Sequence, residues 1–204
     1  MPIRATPTTA RRRSASSVAV AAALALAGCG PSAPAAKQPA ANGLVAGTDK
    51  SADCLAAVWQ AQAAPDKAFD SAHDQADGGS LSCATGTSAS QFAAALAAIR
   101  SAAKSGDRAA LVAQIGLPLL YIDVSGRKRE LDRAALAADR GDVFSPPMLA
   151  LLARMNLDDL SVVPREGAFA DLGAVWLVAG RTGGRPRIVT LDRQALDEAA
   201  AARH

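Results

Sequence analysis

At 204 residues, half of them apolar, the chain has the length of one domain, and 22 Lys+Arg against 19 Asp+Glu give a formal charge of +3. That excess is local: four arginines and no acidic residue precede residue 29, so the remainder carries −1 and lacks the clustered basic surface that nucleic-acid binding requires. Two histidines, His73 and His204, leave little material for imidazole catalysis, and no Gly-x-Ser-x-Gly elbow, phosphate loop or His-Glu-x-x-His helix occurs.

In chain order, Arg4, Arg11, Arg12 and Arg13 precede an apolar run over 18–27, the charged and hydrophobic parts of an export signal. Spanning a bilayer takes about 20 apolar residues, so this run is too short. It closes on Leu26-Ala27-Gly28-Cys29, which resembles the lipobox of bacterial lipoproteins. The resemblance implies removal of residues 1–28 as a signal peptide and acylation of Cys29 at its thiol and new amino group. Each buried methylene contributes roughly 0.8 kcal/mol, so two or three chains would anchor the protein on a membrane. A soluble secreted protein with a coincidental cysteine is the alternative. Gly30 follows where inner-membrane retention signals often place Asp, which implies the outer membrane, facing the periplasm, if the organism is Gram-negative. Residues 29–50, rich in Pro, Ala and Gly, read as the lipidated cysteine and a flexible tether.

The folded part is expected over 51–198, with 199–204 as a frayed tail. Residues 52–76, interrupted by Pro65, read as one or two helices carrying Leu55, Val58, Trp59 and Phe69, ended by Gly78-Gly79. Cys54 and Cys83 are expected to pair in an export compartment, making 51–87 a disulfide-stapled helical element; a metal-binding or reactive thiol pair would lack CxxC spacing. Asp66, Asp70, His73 and Asp77, with Asp74 beside them, recur at intervals that put the first four on one helical stripe. Such a stripe could hold a divalent cation through oxygens and one imidazole, or it is a solvated acidic face.

Ser88-x-x-Gln91 has capping-box spacing and opens a helix with Phe92, Leu96 and Ile99 at helical intervals up to Gly106. Asp107 caps a short helix through 115, with Leu111 and Ile115 on one face. Residues 119–124 are β-rich and end at Ser125-Gly126, with Arg127-Lys128-Arg129 read as part of the turn. Asp132 caps a helix through 139, and Ser145-Pro146 opens another through 155. Residues 160–164, 174–179 and 187–193 read as further strands, the last two antiparallel across the loop Arg181-Thr-Gly-Gly-Arg185. Helices first and strands later predict an α+β domain, helices packed on one face of a curved antiparallel sheet.

Residues 98–111 (AIRSAAKSGDRAAL), then 116–121 (GLPLLY), 172–178 (LGAVWLV) and 187–191 (RIVTL), resemble NTF2-like domains in element order and texture. The resemblance covers about 90–193, within a domain expected over 88–198, and implies a sheet bent around helices into a cone, often with a pocket at its open end. Enzymes of that superfamily commonly place Asp and His in the cone, and no histidine lies in the matching segment here. Strand alternation puts Leu119, Tyr121 and Asp123 on one face, where Tyr121 and Asp123 could meet Trp176 inside a cone. A carboxylate in an apolar cavity would have a raised pKa and could act as acid or base; at a strand end it would face water instead. Arg181, Arg185 and Arg187 could grip an anion, or serve as solubilising charges at a hairpin tip. The expectation is a cell-envelope protein anchored to the membrane through Cys29, without a cofactor, binding a small ligand or an envelope protein without catalysis. The alternative is a cone enzyme, hydrolase or isomerase, using Asp123 and Tyr121; a structural accessory of an envelope machine is the third class.

Overall fold

A computed structural model describes residues 50–203; the expected signal, the acylation site Cys29, the tether and His204 lie outside the described residues. Pro65 divides the first helical segment as its sequence suggests, leaving α1 (Lys50–Gln60) and α2 (Lys67–His73). Asp66 caps α2, its Oδ1 accepting from the Phe69 amide at 3.1 Å. The chain then forms two short strands, β1 (Gln75–Ala76) and β2 (Gly79–Ser80), and the helix α3 (Leu81–Thr85). Gly78, expected to stop a helix, makes this turn at φ +93°, and a Cβ there would collide with the carbonyl oxygen of Val162. Cys54 of α1 is disulfide-bonded to Cys83 of α3, as expected.

The long helix α4 (Ala89–Ser105) buries Phe92, Leu96 and Ile99 completely, each contributing about 1.5–3 kcal/mol through removal from water. It ends at Gly106 in the left-handed conformation. Its start differs from the capping-box expectation. Ser88 makes no cap bond, because its hydroxyl is engaged by Gln62 Nε2 at 2.9 Å and lies 3.0 Å from Ser90 Oγ. The carboxylate of Asp70 supplies the cap from another helix, accepting from the Ser90 amide at 2.7 Å. Asp107 caps α5 (Arg108–Val112) and Asp132 caps α6 (Arg133–Ala138) through the expected amide bonds. Proline opens α7 (Pro146–Leu152).

Six strands form one sheet: β3 (Ile115–Ile122), β4 (Lys128–Leu131), β5 (Ser161–Val163), β6 (Gly167–Ala170), β7 (Val175–Ala179) and β8 (Pro186–Asp192), in the order β4-β3-β8-β7-β6-β5. The α+β class holds, but the sheet is mixed rather than antiparallel, since β3 and β8 run parallel. The meander β5–β8 brings its last strand back beside β3 after the intervening helices, and a long crossover of this kind is what parallel neighbours need. Two strands went unread in the sequence. Lys128 and Arg129 leave the turn and pair with β3, and β6 is a short Gly-Ala-Phe-Ala run without β-branched residues. The chain also ends differently: Asp192 caps a C-terminal helix, α8 (Arg193–Ala201), where a strand end and a frayed tail were expected.

Leu119, Tyr121, Leu177, Ile188 and Leu191 point from the sheet into a core shared with α4, α6 and α7. The opposite face, with Leu120, Ile122, Phe169, Trp176, Val178 and Val189, is half-buried. The helices therefore cover one face.

Candidate functional site

Cross-strand pairing places Arg129 of β4 opposite Tyr121 of β3, so the two side chains share the helix-side face at the sheet's edge. Tyr121 is 2% exposed, and the Arg129 guanidinium lies 5.1 Å from its ring centroid. The Tyr121 hydroxyl donates to the carbonyl of Asp142 at 3.1 Å, and Nη1 of Arg193, the first residue of α8, donates to the same carbonyl at 3.4 Å. Together with Asp123 and Lys128 these residues line a concave site of about 530 Å³. Burial raises the Tyr121 pKa above its ordinary value, outweighing nearby Arg193 and Arg129, so the hydroxyl remains a donor at neutral pH.

The loop that presents Asp142 is held by an ion pair. Arg108 Nη2 meets Asp139 Oδ2 at 2.8 Å and also donates to the carbonyl of Leu136, while the Gly141 and Val143 amides donate to the same carboxylate. Burial alone would raise the Asp139 pKa; the Arg108 bond and the two amides outweigh it and hold the group below the usual carboxylate range.

Asp123 is a lining residue, as the sequence suggested, yet its environment is the reverse of an apolar cavity. It closes the β3–β4 turn. Its Oδ1 accepts from the Ser125 amide and hydroxyl and from the Arg127 amide, and its Oδ2 accepts from Arg127 Nε at 3.0 Å. The Ser125 hydroxyl is the largest cause, and these donors hold the pKa far below the ordinary value, so the strand-end reading holds and the raised pKa of the cavity reading is corrected.

The remaining candidates disperse. Trp176 lies on the other face of the sheet, its ring 5.0 Å from that of Phe169, in a separate groove of about 310 Å³ with Leu120 and Ile122. Arg185 donates to Gln114 Oε1 at 3.0 Å and Arg187 to the carbonyl of Ala113 at 2.8 Å, beside the end of α5, where a cation suits the helix dipole. Arg181 is exposed on the β7–β8 loop, so the three arginines form no common grip.

Asp66, Asp70, His73 and Asp77 do not form one stripe, because α2 ends at His73. Asp70 is fully buried and accepts from Trp59 Nε1 at 2.8 Å and from the Ser90 amide. Asp74 accepts from the Ser80 and Ser82 hydroxyls and the Ser82 amide. Asp77 accepts from the Ser161 hydroxyl at 2.9 Å, and His73 stacks on Phe69. Among the described residues no group of three His, Cys, Asp or Glu is arranged to hold a metal ion. These acids fasten α1, α2, α3, α4 and β5 to one another.

Sequence reading missed Arg129, Asp142 and Arg193. Arg129 was within reach, since a hairpin register closed by the 123–127 turn sets it against Tyr121; Arg193 required knowing that β8 lies beside β3. No protein-family model, curated protein or solved structure matches the chain.

Proposed function

We propose that this is a lipid-anchored protein of the cell envelope whose folded domain is an NTF2-like, non-catalytic binding module. The lipobox-like Leu26-Ala27-Gly28-Cys29 supports the anchor, with the outer membrane favoured in a Gram-negative organism. The Cys54–Cys83 disulfide is independent support for export, because such bonds persist in oxidising compartments. For the NTF2-like reading the support is the succession of helices, a strand hairpin, further helices and a four-strand meander whose last strand lies beside the hairpin's first, with helices on one sheet face.

The observation that carries the binding role is the state of Asp123. A general acid or base needs a carboxyl free to exchange a proton near the working pH. Asp123 is instead an ionised turn anchor at the mouth of a formed site. Tyr121, with its hydroxyl given to a backbone carbonyl, serves as a wall.

A thermal-shift screen of the purified protein against divalent cations, peptidoglycan fragments and small apolar acids tests the role. A ligand at 100 times its Kd adds about 2.7 kcal/mol, and that shift should fall when Tyr121 is changed to Ala. A ligand found to be turned over, with turnover lost in Asp123→Asn, would overturn the non-catalytic reading. For the anchor, Cys29→Ser should release the protein from membranes and abolish labelling by an acyl probe.

A further inference from the structure

We infer that the Tyr121 site is built for a phosphate group, held between Arg129 and Arg193. The inference rests on reading this pocket as a binding site and adds the chemistry of what it binds. Six charged residues line it, and two of them, Asp123 and Arg127, neutralise each other within the turn. Lys128, Arg129 and Arg193 remain, opposed only by Asp142. None of the three cations is ion-paired among the described residues, whereas Arg108, Arg154 and Arg203 each meet a carboxylate. Lys128 pairs with Ile122, on the other face of the strand from Arg129; Arg129 and Arg193 both border the Tyr121–Asp142 contact, and an anion placed between these two like charges relieves their repulsion while using their field.

A second observation points the same way. Arg193 Nε is buried and has no hydrogen-bond acceptor, although Nη1 of the same guanidinium is fixed on the Asp142 carbonyl. A buried guanidinium N–H without an acceptor is a cost that a ligand oxygen would remove. The guanidinium fork fits two oxygens of one tetrahedral group, and the net surplus of two positive charges among the lining residues matches a phosphate dianion better than a single carboxylate. Tyr121 does not compete for the anion, because its hydroxyl already donates to Asp142. A soluble phosphomonoester presents this group as a dianion and a phospholipid head presents it as a monoanionic diester, with the same tetrahedral oxygens in both.

The test uses the full chain carrying Cys29→Ser, so that no acyl group confuses membrane binding. Calorimetric titration with inorganic phosphate, at ionic strength held constant with chloride, should give saturable binding. Arg129→Gln should weaken it by about tenfold, the worth of one charge-assisted hydrogen bond, and Lys128→Gln by less than that. Far-UV circular dichroism establishes that each variant is folded, and Arg129 is exposed, so its substitution leaves the core intact. Cosedimentation with phosphatidylglycerol vesicles, competed away by inorganic phosphate at constant ionic strength and lost in Arg129→Gln, assigns the phosphate to a lipid head; phosphate binding without vesicle binding assigns it to a soluble compound. No saturable response to phosphate or to vesicles overturns the inference, and so does binding that survives Arg129→Gln. A neutral compound whose stabilisation depends on Tyr121 but not on Arg129 would overturn the phosphate assignment and leave the binding-module reading standing.

Discussion

The stapled N-terminal element and the sheet-edge site are both dense in charge, and they use it in opposite ways. In the first, Asp66, Asp70, Asp74 and Asp77 each accept from amides, hydroxyls or an indole of the protein itself. In the second, Lys128, Arg129 and Arg193 form no ion pair among the described residues, and one guanidinium nitrogen is buried without an acceptor. Spacing in the sequence favoured the acids. A cluster becomes a site where the fold leaves its hydrogen-bonding capacity unspent, and the two buried acids, Asp70 and Asp74, already accept two and three bonds from the protein.

The largest expected effect breaks the structural side of this contrast. Cys54→Ser with Cys83→Ser opens a link between residues 29 apart in sequence, which by chain entropy should cost about 3–4 kcal/mol in urea denaturation. Next is Asp70→Ala, which strands the Trp59 indole N–H and the Ser90 amide in a buried place. A loss of about 2–4 kcal/mol is expected, and a loss near zero would mean that Asp70 is not the cap of α4.

Asp139→Asn probes the loop behind the site and should cost about 1–3 kcal/mol at pH 7. The folded-state pKa of Asp139 is depressed, so its stabilisation is complete above the ordinary carboxylate value and disappears as pH falls through the folded value. The difference between wild type and variant should therefore be constant from pH 7 to about 5 and shrink below about 4 in pH-resolved denaturation. The smallest effect belongs to His73→Gln, which should leave both melting temperature and response to divalent cations unchanged; a lost zinc-dependent shift would restore the metal reading.

The pairing of Cys54 with Cys83, the caps at Asp107 and Asp132, the helix carrying Phe92, Leu96 and Ile99, and the antiparallel pair across the Arg181–Arg185 loop were legible in the sequence. These are local signals: a short side chain reaching an amide three residues on, or apolar residues at a fixed interval. β6 was illegible because alanine and glycine carry no strand preference, and α8 because Asp192 serves both as the end of a strand and as a helix cap. The Asp123 environment was left open between an apolar cavity and a strand end for a related reason. Alternation placed it beside Tyr121, but the turn that follows supplies donors that alternation does not report.

The sequence by itself determined the class of the fold, the disulfide and the residues of the inner strand face, since each follows from spacing along a few consecutive residues. Tertiary structure decided the parallel joining of β3 to β8, the cap that Asp70 gives to α4, and the meeting of Arg129 and Arg193 over Tyr121 and Asp142. Apart from the hairpin pair Arg129 and Tyr121, those contacts join residues 20 or more apart whose partners are chosen by packing, and electrostatic compensation depends on distance in space rather than along the chain.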